Sequence, residues 1–148
     1  MSSAGEARFR VQAPNSLPRA IKVIALDAVG AAATDRLAAG GWQQAAFFHA
    51  LSSGALRDFF GRTSAVDDEV ATAYLIVMVA GPGGQAHAAA TIGRACSARR
   101  VNTTGLLVSN AADPGLSKTL AQLRPWSLMV VIADSDEYIG DMMTALRA

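Results

Sequence analysis

The stretch VMVAGPGGQAHAAATIG, residues 77–93, decides the fold prediction. An apolar run of strand length ends in a turn made of glycine and proline, and a run of small residues with helical composition follows. A turn of this kind presents backbone N–H groups at the start of a helix, where they attract anions. The stretch therefore predicts a strand–turn–helix unit, and it makes the turn a candidate phosphate site.

Strand-like and helix-like segments alternate on both sides of this unit. Strands are predicted at 20–26, 45–51, 74–80, 101–108 and 127–133, and helices at 29–40, 65–73, 84–98, 115–123 and 136–148. Residues 54–61 are predicted to form a short helix or turn, and Thr63 or Ser64 is available to cap the next helix. Solid apolar strands indicate a parallel sheet that helices cover on both faces. The prediction is a three-layer α/β/α sandwich with a mainly parallel, Rossmann-like sheet of about five strands.

Composition limits the classes of function. The 148 residues predict one domain over 19–148, preceded by a flexible N-terminal arm over 1–18. Only 17% of the residues are charged, which is typical of a compact domain with part of its surface buried in an oligomer. A net charge of +1 argues against recruitment by nucleic acid. The one cysteine, Cys96, and the short apolar runs predict a cytoplasmic protein without membrane insertion.

The ordered segments resemble the nucleotide-binding domain of FtsZ, the bacterial tubulin relative. Residues 21–40 (IKVIALDAVGAAATDRLAAG) resemble its first strand, glycine loop and first helix, and residues 45–56 (AAFFHALSSGAL) resemble its second strand and loop. Residues 71–109 resemble the unit around its signature loop, and residues 120–136 (LAQLRPWSLMVVIADSD) resemble the segment before its central helix. The resemblance implies the same Rossmann-like fold, and in that family the loops hold GTP.

The motifs that would hold GTP depart from the family pattern. The first loop keeps only Gly30 of its glycines, and Asp27 would place a carboxylate beside a triphosphate, which costs energy unless a metal lies between them. The signature loop keeps Ala80, Gly81, Gly83 and Gly84, but its threonines and later glycines are replaced. The family's acidic loop and second domain would follow residue 148. The resemblance thus implies impaired or absent GTP binding and no hydrolysis.

The candidate ligand- or phosphate-binding residues share positions at the predicted carboxyl edge of the sheet. They are Gly30, Ala80, Gly81, Gly83, Gly84, Gln85, His87 and Asp134. The glycines either cradle an anion or shape a tight strand-to-helix connection. His87 is expected in the first helical turn, where it contacts phosphate or has a structural role. Asp134 either binds a ligand or belongs to a helix-capping group. No catalytic residue and no metal site is predicted.

Two functions from different classes follow. The first is a degenerate FtsZ-like domain that acts as a non-hydrolysing interaction or assembly module, with a second copy or an FtsZ-like protein as partner. The alternative is a protein that binds a small ligand, with a guanine nucleotide or another phosphate held weakly at the turn formed by residues 80–84. An enzyme that uses His87 is the least supported reading, since no base, nucleophile and oxyanion site occur together.

Overall fold

The computed structural model describes residues 20–110 and 112–148, and the predicted arm lies outside them. Seven strands form one sheet. They are β1 (Ile21–Ala25), β2 (Ala45–Ala50), β3 (Ala55–Asp58), β4 (Thr63–Ala65), β5 (Leu75–Ala80), β6 (Asn102–Val108) and β7 (Met129–Ala133). The helices are α1 (Ala28–Ala38), α2 (Val66–Ala71), α3 (Ala89–Arg99), α4 (Leu116–Leu123) and α5 (Asp136–Ala145), and a 3-10 turn, Arg124–Trp126, follows α4.

The strand order confirms the predicted α/β class. The sheet runs β4-β3-β2-β1-β5-β6-β7, and β2, β1, β5, β6 and β7 are parallel. Ile24 of β1 lies opposite Phe48 of β2 and Met78 of β5, so the middle of the sheet is apolar across three strands. The chain leaves β1 toward β2 on one side and later returns to β5 on the other side. This switch point is where ligands bind in many doubly wound sheets.

Two hydrophobic cores confirm the three layers. On one face, Ile92 of α3 and Val70 of α2 pack with Met78 of the sheet. On the other face, Ala33 of α1 and Met143 of α5 pack in a second core. Helices α1 and α5 therefore cover one side of the sheet, and α2 and α3 cover the opposite side. All six residues of β5 are buried, as expected for its position at the centre.

Residues 54–61 are the clearest correction to the sequence prediction. Residues 55–58 form strand β3, which pairs antiparallel with β2 and with β4, rather than a helix, and the predicted turn is limited to Phe59 and Phe60. Leu56 is fully buried, whereas Arg57 is exposed, and this alternation is typical of a strand. Gly54 and Gly61 have positive φ angles of 90° and 81°, so both flanking turns need glycine. The sheet gains two strands beyond the predicted five.

Helix starts also differ from the predictions. Helix α3 begins at Ala89, five residues after the predicted start, so His87 precedes the helix instead of lying in its first turn. Thr63 and Ser64 belong to β4, and α2 begins after Ala65 without a side-chain cap. Within the part of the chain that the structure describes, no helix has the length and apolar character needed to cross a bilayer.

A lysine and a cysteine place ionisable groups inside the packed layers. Lys22 is buried in β1, and its ammonium group donates to the Glu69 carboxylate, the Glu69 carbonyl and the Thr72 hydroxyl. These contacts attach the end of α2 to the start of β1 and neutralise the buried charge. Cys96 of α3 is 2% exposed, and burial raises the pKa of its thiol to about 11.

We expect the folded protein to protect Cys96 from thiol reagents at pH 9. An ordinary cysteine with a pKa of 9.0 is half ionised there, whereas Cys96 stays almost entirely a thiol because burial disfavours the thiolate. Labelling of the protein unfolded in urea should then be at least about 100-fold faster than labelling of the folded protein. Unfolding both restores the ordinary pKa of the thiol and exposes the sulfur. Labelling at equal rates in folded and unfolded protein would contradict the packing of α3.

Candidate functional site

The loops that follow β1 and β5 meet at the switch point of the sheet. The first loop contains Asp27 and leads into α1, and the second runs from Gly81 to Ala88 and leads into α3. Because β1 and β5 are adjacent and parallel, both loops leave the same edge. This edge contains most of the residues predicted as a phosphate site, so its donors and acceptors decide what it can bind.

Asp27 lies between the two loops and contacts both of them. Its carboxylate accepts a hydrogen bond from Gly30 N at 2.7 Å and caps α1. The same carboxylate accepts from Gly81 N, at 2.9 Å through Oδ2 and 3.1 Å through Oδ1. A negative charge here also interacts favourably with the N-terminus of α1. The chain thus supplies its own anion at the switch point.

Close packing explains why glycine stands at 30 and 81. A Cβ atom on Gly30 would lie 2.2 Å from the carbonyl oxygen of Val79. A Cβ atom on Gly81 would lie 2.4 Å from the Cβ of Val29. The start of α1 therefore approaches the end of β5 more closely than any other residue type allows. Ala80, the last residue of β5, is fully buried beside this contact.

Gly83 and Gly84 form a turn that lies against α4. Their φ angles are 118° and 74°, which favour glycine. Gly83 N donates to the carbonyl of Gly115 at 3.1 Å. Thr119, fully buried in α4, accepts from Gly84 N at 3.0 Å and donates to the Gly81 carbonyl at 2.9 Å. The Thr119 hydroxyl therefore fixes the loop at both Gly81 and Gly84.

Gln122, one helical turn after Thr119, fixes the next part of the loop. Its Oε1 accepts from Ala86 N at 2.8 Å, and its Nε2 donates to the Gly84 carbonyl at 2.9 Å. The same Nε2 lies 3.3 Å from Nδ1 of His87. Because its backbone partners are one donor and one acceptor, the orientation of this amide is determined. His87 itself is exposed.

These contacts use backbone donors that a phosphate would need. The N–H groups of Gly81, Gly83, Gly84 and Ala86 all donate to atoms of the chain itself, and Pro82 has no N–H. A phosphate oxygen could take these donors only if Asp27 and α4 released them. These hydrogen bonds are part-buried, and each of their acceptors that loses its donor and stays shielded from water costs about 1–3 kcal/mol. The geometry therefore favours the structural interpretation of the turn over the anion cradle.

The remaining candidate residues separate into two places. Gln85 and His87 line a cavity between α3 and the ends of β1 and β2. Asp134 is exposed after β7, three strand spacings from β1, or about 14 Å from the Asp27 loop. The carboxylates of Asp27 and Asp134 consequently belong to different sites.

Ser135, rather than an aspartate, caps α5 by accepting from Tyr138 N at 3.1 Å. Across residues 20–110 and 112–148, no cluster of His, Cys, Asp or Glu suits a metal ion.

Sequence reasoning missed Thr119 and Gln122, which organise the turn. Both lie on α4 three residues apart, so they face the same side of the helix. Thr119 is buried, although a threonine in a helix interior is an ordinary surface residue. The sequence did contain a signal for this role, which was the pair of polar residues three positions apart in the predicted helix. It was weak, because the sequence alone does not say which face of α4 is covered.

Comparison of the sequence with models of known protein families gives no match, and comparison with curated proteins gives none either. The resemblance to FtsZ therefore stays a prediction based on the residues quoted above.

We expect Asp27→Ala to lower the free energy of unfolding by about 2–3 kcal/mol. The change removes the cap of α1 and leaves the buried Gly81 N–H without an acceptor. Urea denaturation followed by circular dichroism measures the loss. Asp134→Ala is the matched control, since this exposed carboxylate should change stability by less than about 0.5 kcal/mol. Equal effects of the two substitutions would contradict a special role for Asp27.

Proposed function

We propose that this domain is a non-hydrolysing interaction module that pairs with a second copy of itself along strand β7. The open, apolar edge of β7 carries the proposal. The low charge content of the chain and the internal use of the turn's N–H donors support it, since they favour a surface that binds protein over a site that binds GTP.

Strand β7 pairs with β6 on one side only among the described residues. Residues 127–133, SLMVVIA, contain no charged side chain, and Leu128, Met129 and Ile132 are 76%, 53% and 40% exposed. An edge strand with free N–H and C=O groups and apolar side chains is a template for pairing with another strand. Soluble proteins usually protect such an edge with lysine, proline or a bulge. Strand β7 contains neither lysine nor proline.

The opposite edge of the sheet is protected. Strand β4 has only three residues, and its sequence Thr63–Ala65 is short and polar. Arg62 immediately precedes it and is exposed. A short polar edge next to a positive charge gives little area for pairing. The contrast between the two edges makes β7 the better candidate for an interface.

A second copy is the partner that this edge fits best. Two β7 strands related by a twofold axis pair antiparallel, and the same apolar side chains then lie on both sides of the interface. The lack of charge in 127–133 removes the repulsion that two identical charged edges would experience. Pairing would join two seven-stranded sheets into one continuous sheet.

The alternative function, binding of a nucleotide or another phosphate at the turn formed by residues 80–84, has less support. The N–H donors at Gly81, Gly83 and Gly84 are bonded to Asp27 and to the α4 region. An incoming anion would also meet the negative charge of Asp27 at close range. An enzymatic role for His87 has the least support of the three. The side-chain partner of His87 is the neutral amide of Gln122 and not a carboxylate.

We expect sedimentation equilibrium to show a concentration-dependent dimer. The double variant Leu128→Lys/Ile132→Lys should weaken dimerisation by at least about 100-fold, because each copy would bring two uncompensated charges into an apolar interface. Both side chains are exposed in the single chain, so circular dichroism and the unfolding midpoint should stay close to those of the wild type.

Phe60→Lys is the control for added charge. Phe60 is 87% exposed in the turn between β3 and β4, beside the opposite edge of the sheet, so the substitution adds one lysine charge away from β7, where the double variant adds two at β7. This variant should dimerise like the wild type. A wild-type monomer at submillimolar concentration, or a dimer that Phe60→Lys disrupts and the β7 variant does not, would overturn the proposal.

A further inference from the structure

A cavity of about 360 Å³ opens beside α3 at the carboxyl edge of the sheet. Its volume falls within the range of small-molecule sites in proteins. The residues around it come from the ends of β1 and β2, the β3 region, the loop before α3, and the starts of α2 and α3. It does not include β7, so a ligand here would be independent of the proposed dimer.

The floor of the cavity is apolar and rigidly packed. Leu56 and Ile92 are fully buried, and Leu26 and Val66 are each 8% exposed. All four belong to the hydrophobic core between the sheet and α3. Since these side chains are already shielded from water, the gain on binding comes from the ligand, at about 25 cal/mol for each Å² of its own apolar surface that it buries here. The main part of a ligand that fits this floor is therefore a hydrocarbon or aromatic group.

The rim of the cavity is polar but uncharged. Ser52, Gln85, His87 and Thr91 are exposed there, and none of the lining residues is Lys, Arg, Asp or Glu. A phosphate or carboxylate would enter without a cation to balance it, and desolvation would oppose binding. Neutral hydrogen-bonding groups meet no such cost. The lining thus selects for a molecule without net charge.

The contact with Gln122 determines which ring nitrogen of His87 donates. The amide of Gln122 is oriented by Ala86 N and the Gly84 carbonyl, so the group 3.3 Å from Nδ1 of His87 is an NH₂. An NH₂ group can only donate, and Nδ1 must accept. In the neutral imidazole the proton then resides on Nε2. His87 therefore offers an N–H donor through Nε2, the nitrogen that Gln122 does not contact.

We propose that this cavity binds a neutral, mostly apolar small molecule whose carbonyl oxygen accepts a hydrogen bond from Nε2 of His87. The apolar part lies on the floor formed by Leu26, Leu56 and Ile92, and the carbonyl group lies at the rim. Gln122 is a positioning residue, because it holds the imidazole in the donating tautomer without lining the cavity. This site goes beyond the interaction function, and each can fail without the other.

Nuclear magnetic resonance with simple probes tests the site on the full chain. Benzamide and acetophenone are neutral carbonyl probes, benzoate is the charged analogue, and toluene lacks the carbonyl. Neutral probes of this size should bind with dissociation constants on the order of 1 mM. We expect saturable shifts of the amide resonances in 50–54 and 85–92, with benzoate at least about 10-fold weaker because the rim has no cation.

Substitutions distinguish entry of the probe into the cavity from its hydrogen bond to His87. Thr91→Trp should fill the mouth of the cavity and abolish the shifts, whereas Ser97→Trp, exposed on the same helix outside the cavity, should leave them unchanged. His87→Phe keeps a ring but removes the donor, so it should weaken benzamide binding by about 5- to 10-fold, the equivalent of one neutral hydrogen bond. It should not weaken toluene binding.

The ring nitrogen chemical shifts of His87 give an independent readout. At pH 8 the wild type should show the tautomer with the proton on Nε2, and Gln122→Met should yield a mixture of tautomers. Absence of saturable shifts with both carbonyl probes, equal binding of benzoate, unchanged binding in Thr91→Trp, or a proton on Nδ1 in the wild type would each overturn the proposal.

Discussion

The carboxylate of Asp27 holds the centre of this domain together. It joins the N-terminus of α1 to the end of β5 by accepting from the N–H groups of Gly30 and Gly81. In related architectures an external anion often satisfies such donors, and the fold then depends on its ligand. In this domain the side chain of Asp27 accepts from these donors in place of a ligand. The contact forms without any ligand, and it gives the glycines of the two loops a structural role.

A second group of contacts extends this arrangement to α4. Thr119 and Gln122 bind the turn that runs from Gly83 to His87, and that turn determines where α3 begins. The glycines serve two distinct physical needs. Gly30 and Gly81 allow close approach of helix and strand, whereas Gly83 and Gly84 allow positive φ angles. Our two proposals concern surfaces outside these contacts: the apolar edge of β7 and the uncharged cavity beside α3.

The parallel core was predictable because its strands are solid apolar runs, and residues 75–80 illustrate this best. The β3–β4 hairpin is missed because strands of four and three residues are too short to show an alternating pattern, although Gly54 and Gly61 mark its turns. The candidate glycines were found, but their role was left open, since a glycine turn has the same sequence whether phosphate or a side chain occupies it. The sequence marks Asp27 as an obstacle to phosphate. One of its partners, Gly30, lies three residues away at the usual spacing of a helix cap. The other, Gly81, lies 54 positions away and cannot be read from spacing.

The hydrogen bond between Gly81 N–H and the Asp27 carboxylate can be observed directly as a scalar coupling across the bond by nuclear magnetic resonance. The measurement is made on labelled full-length protein, first alone and then with excess magnesium GTP. We predict a detectable coupling between the amide nitrogen of Gly81 and the side-chain carboxyl carbon of Asp27, and we predict that the nucleotide leaves it unchanged. A coupling that disappears when GTP is added, with saturable movement of the Gly81, Gly83 and Gly84 amide resonances, would contradict the account.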